Sequence, residues 1–162
     1  MTRPLNHDAS LRTHLQYLLN GGGAHIGFED AISGIAPEYR GAGVLGSPHT
    51  LWRQLEHLRI CQWDIFEYST NANHISPDFP DGYWPSTNEP PTENAWDESV
   101  VAFRRDLESV VELIMNPKTD LFRPLPHGGD HTILREALLV ADHNAYHIGQ
   151  IIAMRRTLGI WD

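Results

Sequence analysis

Ala141-Asp142-His143-Asn144-Ala145-Tyr146-His147-Ile148-Gly149-Gln150 is the stretch on which the fold turns. Upstream lie Ile133, Leu134, Ala137, Leu138 and Val140, and downstream Ile151, Ile152 and Met154 before Gly159, which makes a long apolar stripe at helical spacing. A helix so heavily apolar belongs at the centre of an all-α fold. Positions i and i+4 share one helix face about 6 Å apart, so His143 and His147 can converge on one ion. A third ligand must come from another element. The best candidate is His57, in Leu55-Glu56-His57-Leu58, midway along a second apolar-periodic segment that can pack against the first.

Working outward, four segments carry helical periodicity, near residues 8–20, 48–70, 92–115 and 131–158. The first places Leu11, Leu15, Leu18 and Leu19 on one face and is stopped by Gly21-Gly22-Gly23, with a shorter helical piece expected over residues 28–35. The second has Ser47 as its expected N-cap and Pro48 at its first position, followed by Leu51, Leu55, Leu58, Ile65 and Phe66. The third begins near Thr92 and carries Trp96, Val100, Phe103, Leu107, Val110, Val111 and Ile114 to Asn116-Pro117. The fourth takes Asp130 as its expected N-cap. There is no strand alternation and no internal repeat, so a four-helix bundle is the simplest architecture that buries four such stripes. Residues 71–91 are too long for a turn and too aromatic for a solvated linker, and are expected to pack onto the bundle. Residues 36–46 and 116–129 read as further irregular connections.

Composition narrows the class. With 162 residues at 41% hydrophobic, the chain reads as one domain over residues 1–162. Twelve basic and twenty-one acidic residues give a formal charge of −9, so neither nucleic acid nor an anionic membrane is an expected partner. Cys61, the single cysteine, forms no internal disulfide, residues 1–8 lack a leader-type apolar stretch, and a cytoplasmic setting is expected.

Each histidine has an ordinary alternative. A lone His-x-x-x-His is common by chance, but His143, His147 and His57 all border apolar stripes, where an unpaired ring is costly to bury. A shared ion explains three such rings more economically than three separate hydrogen-bond solutions. His49 and His131 at helix starts, and His74 and His127 in loops, are expected to be exposed, as are His7 and His14. His25, after the triple glycine, is the one spare histidine in reach of the site and ranks behind the three. Cys61, one turn beyond His57, reads as a small buried hydrophobe, and the tryptophans as core or packing residues. Trp84 is the exception, placed to line a pocket mouth.

His57 within Trp52-Arg53-Gln54-Leu55-Glu56-His57-Leu58, together with His143-x-x-x-His147-Ile148-Gly149-Gln150, resembles the pattern of the DinB/YfiT-like superfamily. The resemblance covers nearly the whole chain in helix order, while its specific part is short. It implies a four-helix bundle of up-down-down-up topology, frequent homodimerisation, and one divalent metal, nickel or zinc, on His57, His143 and His147. Family members include transferases and isomerases that use low-molecular-weight thiols, and others labelled as hydrolases. The segment between the second and third helices departs from shorter members.

Three neutral nitrogen ligands leave a coordination position open, as in catalytic sites. Water there becomes more acidic and serves hydrolysis, whereas a thiol is deprotonated to a nucleophile. Glu56, Asp64 and Asp142 are the carboxylates nearest in sequence, and Glu56 and Asp142 point about 100° away from the ligands they precede. The first expectation is therefore a metal-dependent transferase activating a small thiol towards a small-molecule electrophile. A metal-dependent hydrolase and a non-catalytic, stress-associated metal- or ligand-binding module are the alternatives.

Overall fold

A computed structural model describes residues 6–21 and 23–161; Gly22 of the triple glycine and residues 1–5 of the stretch read for a leader lie outside it. Six α-helices and one 3-10 turn make up the regular structure, and the described residues contain no strand beyond an isolated Pro124–Thr132 bridge. The all-α reading is thus borne out. Four helices are long: α1 (His7–Leu19), α4 (Leu51–Thr70), α5 (Ala95–Met115) and α6 (Ile133–Thr157); α2 (Phe28–Ile32) and α3 (Pro37–Arg40) are short. None of the described helices is long and apolar enough to cross a membrane.

The helix starts shift from their expected positions for local reasons. Ser47 does not cap α4, because its hydroxyl closes a tight turn with the backbone of His49, accepting from its N–H at 3.2 Å and donating to its carbonyl at 2.9 Å. Thr50 caps instead, its hydroxyl oxygen accepting from Arg53 N–H at 3.2 Å, which leaves Pro48 outside the helix. Asp130 likewise yields to Thr132, which accepts from Arg135 N–H at 3.2 Å. α5 begins at Ala95, three residues beyond Thr92, with no side-chain cap to fix it. The piece expected over residues 28–35 is shorter, ending ahead of Gly34, whose φ of +71° breaks the helix. Inside the stretch read as irregular, Pro37 opens α3.

One apolar stripe was misread. Leu18 is exposed, and the position that completes the buried face of α1 with Leu15 and Leu19 is Arg12. Its guanidinium donates to the carbonyls of Ile114, Asn116 (3.0 Å) and Thr119 (2.7 Å), at the end of α5 and in the turn that follows it. A charged residue is buried here because three carbonyls and Asp8 satisfy it.

Two apolar clusters form the core. One joins Phe28, Ala31 and Ile32 of α2 to Leu51, Trp52, Leu55 and Leu58 of α4, Trp96, Val100 and Phe103 of α5, and Ile148, Ile151 and Ile152 of α6. The other gathers Leu15 and Leu19, Val110 and Ile114, Leu121 and Leu125, and the first half of α6 around Val140. α4 packs on α5 and α6, and α1 packs on the opposite side of the same two helices. Between them, a buried polar bridge runs from Asn144 to Gln62 (2.8 Å) and on to the Phe103 carbonyl (2.7 Å). The 71–91 segment lies along α4 as expected, tied by Trp52 Nε1–H to the Thr87 hydroxyl (3.2 Å), by the Thr50 hydroxyl to the Asn88 carbonyl, and by the 3-10 turn Asp81–Tyr83.

Candidate metal centre

α4 and α6 bring His57, His143 and His147 together at mid-helix. Each offers one ring nitrogen, and these three atoms lie within 4.8 Å of one another. His57 and His147 are buried and His143 is half-buried. The spacing suits an ion, since nitrogens bound at about 2.1 Å on a tetrahedral centre sit about 3.4 Å apart.

Proton placement can be read from the partners. His57 Nδ1 is 2.8 Å from the Tyr83 carbonyl, which only accepts, so Nδ1 carries the proton and Nε2 the lone pair. His147 Nδ1 donates in the same way to Gln54 Oε1 at 2.7 Å, leaving its Nε2 bare. His57 Nε2 in turn faces His143 Nε2 at 3.2 Å, while His143 Nδ1 is buried with no hydrogen-bond partner in the protein. Ring nitrogens converging in a poorly solvated interior suit a cation.

The electrostatics agree. Burial lowers the proton affinity of all three rings: first by desolvation in each case, then for His143 by His57, which together bring it to about 4, and for His147 by His143 and His57, which bring it to about 3. For His57 the Tyr83 carbonyl opposes part of the drop. All three are neutral at pH 7, the form a metal requires. Cys61 Sγ lies 3.5 Å from His57 Nδ1, and burial, followed by Asp64, pushes its thiol up to about 12, so it is a neutral neighbour.

Trp84 stacks face to face on His57 (centroids 3.8 Å, 3°) and, on its other face, on His49 (3.7 Å, 8°). It borders a cavity of about 230 Å³ shared with Gln54, His49, Tyr146, His147 and Gln150. A larger cavity of about 530 Å³ lies on another face of α6, beside Asn144 and Ile148, and contains none of the three ligand candidates. Of the three ligand candidates, His147 borders the smaller one.

Elsewhere the histidine expectations divide. His7, His14, His25 and His127 are exposed, and His25 stays out of the cluster. His49 and His131 are half-buried instead of exposed, the first because it stacks on Trp84 and the second because Nδ1 meets the Tyr68 hydroxyl at 3.1 Å. His74 is also corrected: its side chain is only 7% exposed, held by Asp64 at 2.7 Å. Of the carboxylates, Glu56 bonds Arg59 and Ser99, Asp64 bonds His74 and Tyr83, and Asp142 is exposed. Gln54 and the Tyr83 carbonyl escaped the sequence reading. Gln54 had a signal, lying three residues before His57 on the same face; a backbone carbonyl has none.

Three comparisons with known proteins bear on this geometry. The family model described as the DinB superfamily matches residues 34–151, a span that holds all three histidines. No curated protein and no solved structure matches the chain significantly.

Proposed function

Since this chain belongs to the DinB superfamily, we propose that it is a metal-dependent enzyme in which His57, His143 and His147 hold one divalent ion, nickel or zinc, beside a site that joins a low-molecular-weight thiol to a small electrophile. The observation that carries this reading is the convergence of the three ring nitrogens, two of them with their lone pairs freed by Tyr83 and Gln54. A bound ion there supplies Lewis acidity, which favours the deprotonated form of a thiol without a general base.

The remaining work falls to the protein. Gln54 and the Tyr83 carbonyl hold the rings in the required tautomer, and the Trp84 indole walls the cavity and covers one face of His57. Thiol transfer is favoured over hydrolysis because the nearest carboxylates are engaged or turned outward, and among the described residues no carboxylate joins the imidazole cluster. A hydrolase ordinarily wants such a base.

The same reading takes the chain as one domain, an up-down-down-up four-helix bundle that dimerises. Support for the topology comes from side-chain register. Glu56–Ser99 and Gln62–Phe103 step in the same sense along α4 and α5, while Gln54–His147 and Gln62–Asn144 step in opposite senses along α4 and α6. Arg12, in the first half of α1, reaches the end of α5 and the residue just past it.

Metal analysis of protein purified without a tag, followed by cobalt substitution, tests the proposal. One ion per chain is expected, lost when the three histidines become alanine, and the right thiol should add a sulfur-to-cobalt absorption band. Parental metal stoichiometry in the triple variant would overturn the site. Ester or amide hydrolysis without any thiol effect would replace transfer with hydrolysis, and neither effect would leave a binding module.

A further inference from the structure

His57 is oriented from outside its own helix, and the anchor is a carboxylate about two turns further along α4. Asp64, 7% exposed, accepts from the Tyr83 hydroxyl at 2.8 Å through one oxygen and meets His74 Nε2 at 2.7 Å through the other. The two contacts pin the loop at both ends of its descent: His74 where it leaves α4, and Tyr83 in the 3-10 turn. Trp63 packs edge-on against His74 and closes that end. Tyr83 is thereby held by its side chain to Asp64 while its carbonyl takes the His57 Nδ1 proton. The next residue, Trp84, lies flat on the His57 ring.

We propose that Asp64, acting through Tyr83 and His74, is a positioning residue that sets the tautomer of His57. The inference rests on the reading of His57 as a ligand. A ring without a fixed acceptor at Nδ1 distributes its proton over both nitrogens, and each molecule protonated at Nε2 has lost the lone pair that must face the ion. A carboxylate suits the anchor because hydrogen bonds to an ionised acceptor are about twice as strong as neutral ones. The phenol and the imidazole engage one oxygen each, so neither buried carboxylate oxygen lacks a partner.

Nitrogen-15 NMR of the histidine side chains in metal-free protein reads the tautomer directly. In the parent, His57 is expected as the Nδ1–H form; in Tyr83→Phe and Asp64→Asn the Nε2–H form should grow to a substantial share. Cobalt titration should show about a tenfold loss of affinity in both, near the lower end for losing an outer-shell partner. Thr87→Val is the control, because it frees the same loop from Trp52 without touching Asp64. It should leave the tautomer unchanged and cobalt affinity within about twofold, the size of an ordinary surface substitution. An unchanged His57 tautomer in Tyr83→Phe overturns the proposal, as does an equal shift in Thr87→Val, which would make loop docking in general the cause. If Asp64→Asn fails to fold, Tyr83→Phe decides. If the parent takes up no cobalt, the metal reading fails while the tautomer comparison still rules on the clamp.

Discussion

Replacing Gln54 with methionine isolates the orientation of a single ligand. Gln54 Oε1 lies 2.7 Å from His147 Nδ1, both residues are buried, at 4% and 8% exposure, and methionine is similar in length but cannot accept strongly. The variant therefore leaves a buried N–H without its partner, a loss of about 1–3 kcal/mol. The ring escapes by moving its proton to Nε2 or by rotating, and either removes the third lone pair from the cluster. Loss of an outer-shell partner of this kind lowers metal affinity roughly 10- to 100-fold, or about 1.4–2.8 kcal/mol. Competition against a chromophoric chelator measures it, with urea unfolding of the metal-free protein as the companion measurement. The affinity loss should persist at urea concentrations far below the unfolding midpoint. Parental affinity in Gln54→Met would mean that Nδ1–H needs no partner for binding, and the tautomer argument would fail with it.

Three further outcomes follow from other contacts. Arg12→Met deprives three carbonyls of a buried guanidinium and should lower unfolding free energy by about 3–5 kcal/mol; a change under about 1 kcal/mol by urea denaturation would show that water replaces it freely. Metal-free protein should lose stability as pH falls from about 6.5 towards 4. His143 and His147 bind protons near 6.5 when unfolded but only at about 4 and about 3 when folded, so the unfolded chain takes up more protons across that window. A His143→Gln, His147→Gln variant should flatten the slope, and an unchanged slope would place the titrating groups elsewhere. Cys61, held up to about 12 by burial, should resist a disulfide reagent at pH 8 and react at once in denaturant; rapid labelling of native protein would contradict its burial.

What was legible in the sequence was whatever periodicity and local spacing encode. The four long helices followed from apolar stripes, and His143 with His147 followed from a four-residue interval within one of them. Their pairing with His57 required a contact between α4 and α6, separated by 86 positions, and was reached by seeking the remaining histidine on an apolar stripe and by the family resemblance. The failures share a cause. Ser47, Asp130 and Leu18 were each plausible by residue type, and each lost to a contact that sequence does not display: a tight turn at His49, a better cap at Thr132, and a ring of carbonyls waiting for Arg12.

The 71–91 segment carries that argument to the site itself. Its aromatic content announced packing against the helices, yet gave no hint that Tyr83 contributes a main-chain oxygen and Trp84 a flat face to the same imidazole. Helix α4 supplies the position of His57 through its repeat, but the neighbour it brings to Nδ1 within one turn is the Cys61 thiol, a weak acceptor at 3.5 Å, against 2.8 Å for the Tyr83 carbonyl. The 71–91 segment has to provide the strong acceptor, from the end of its 3-10 turn, and a loop holds a carbonyl in place only if it is itself anchored. Asp64, His74 and Tyr83 are that anchor, which explains why a buried carboxylate, an expense in a helix core, sits on the side of α4 that faces the loop.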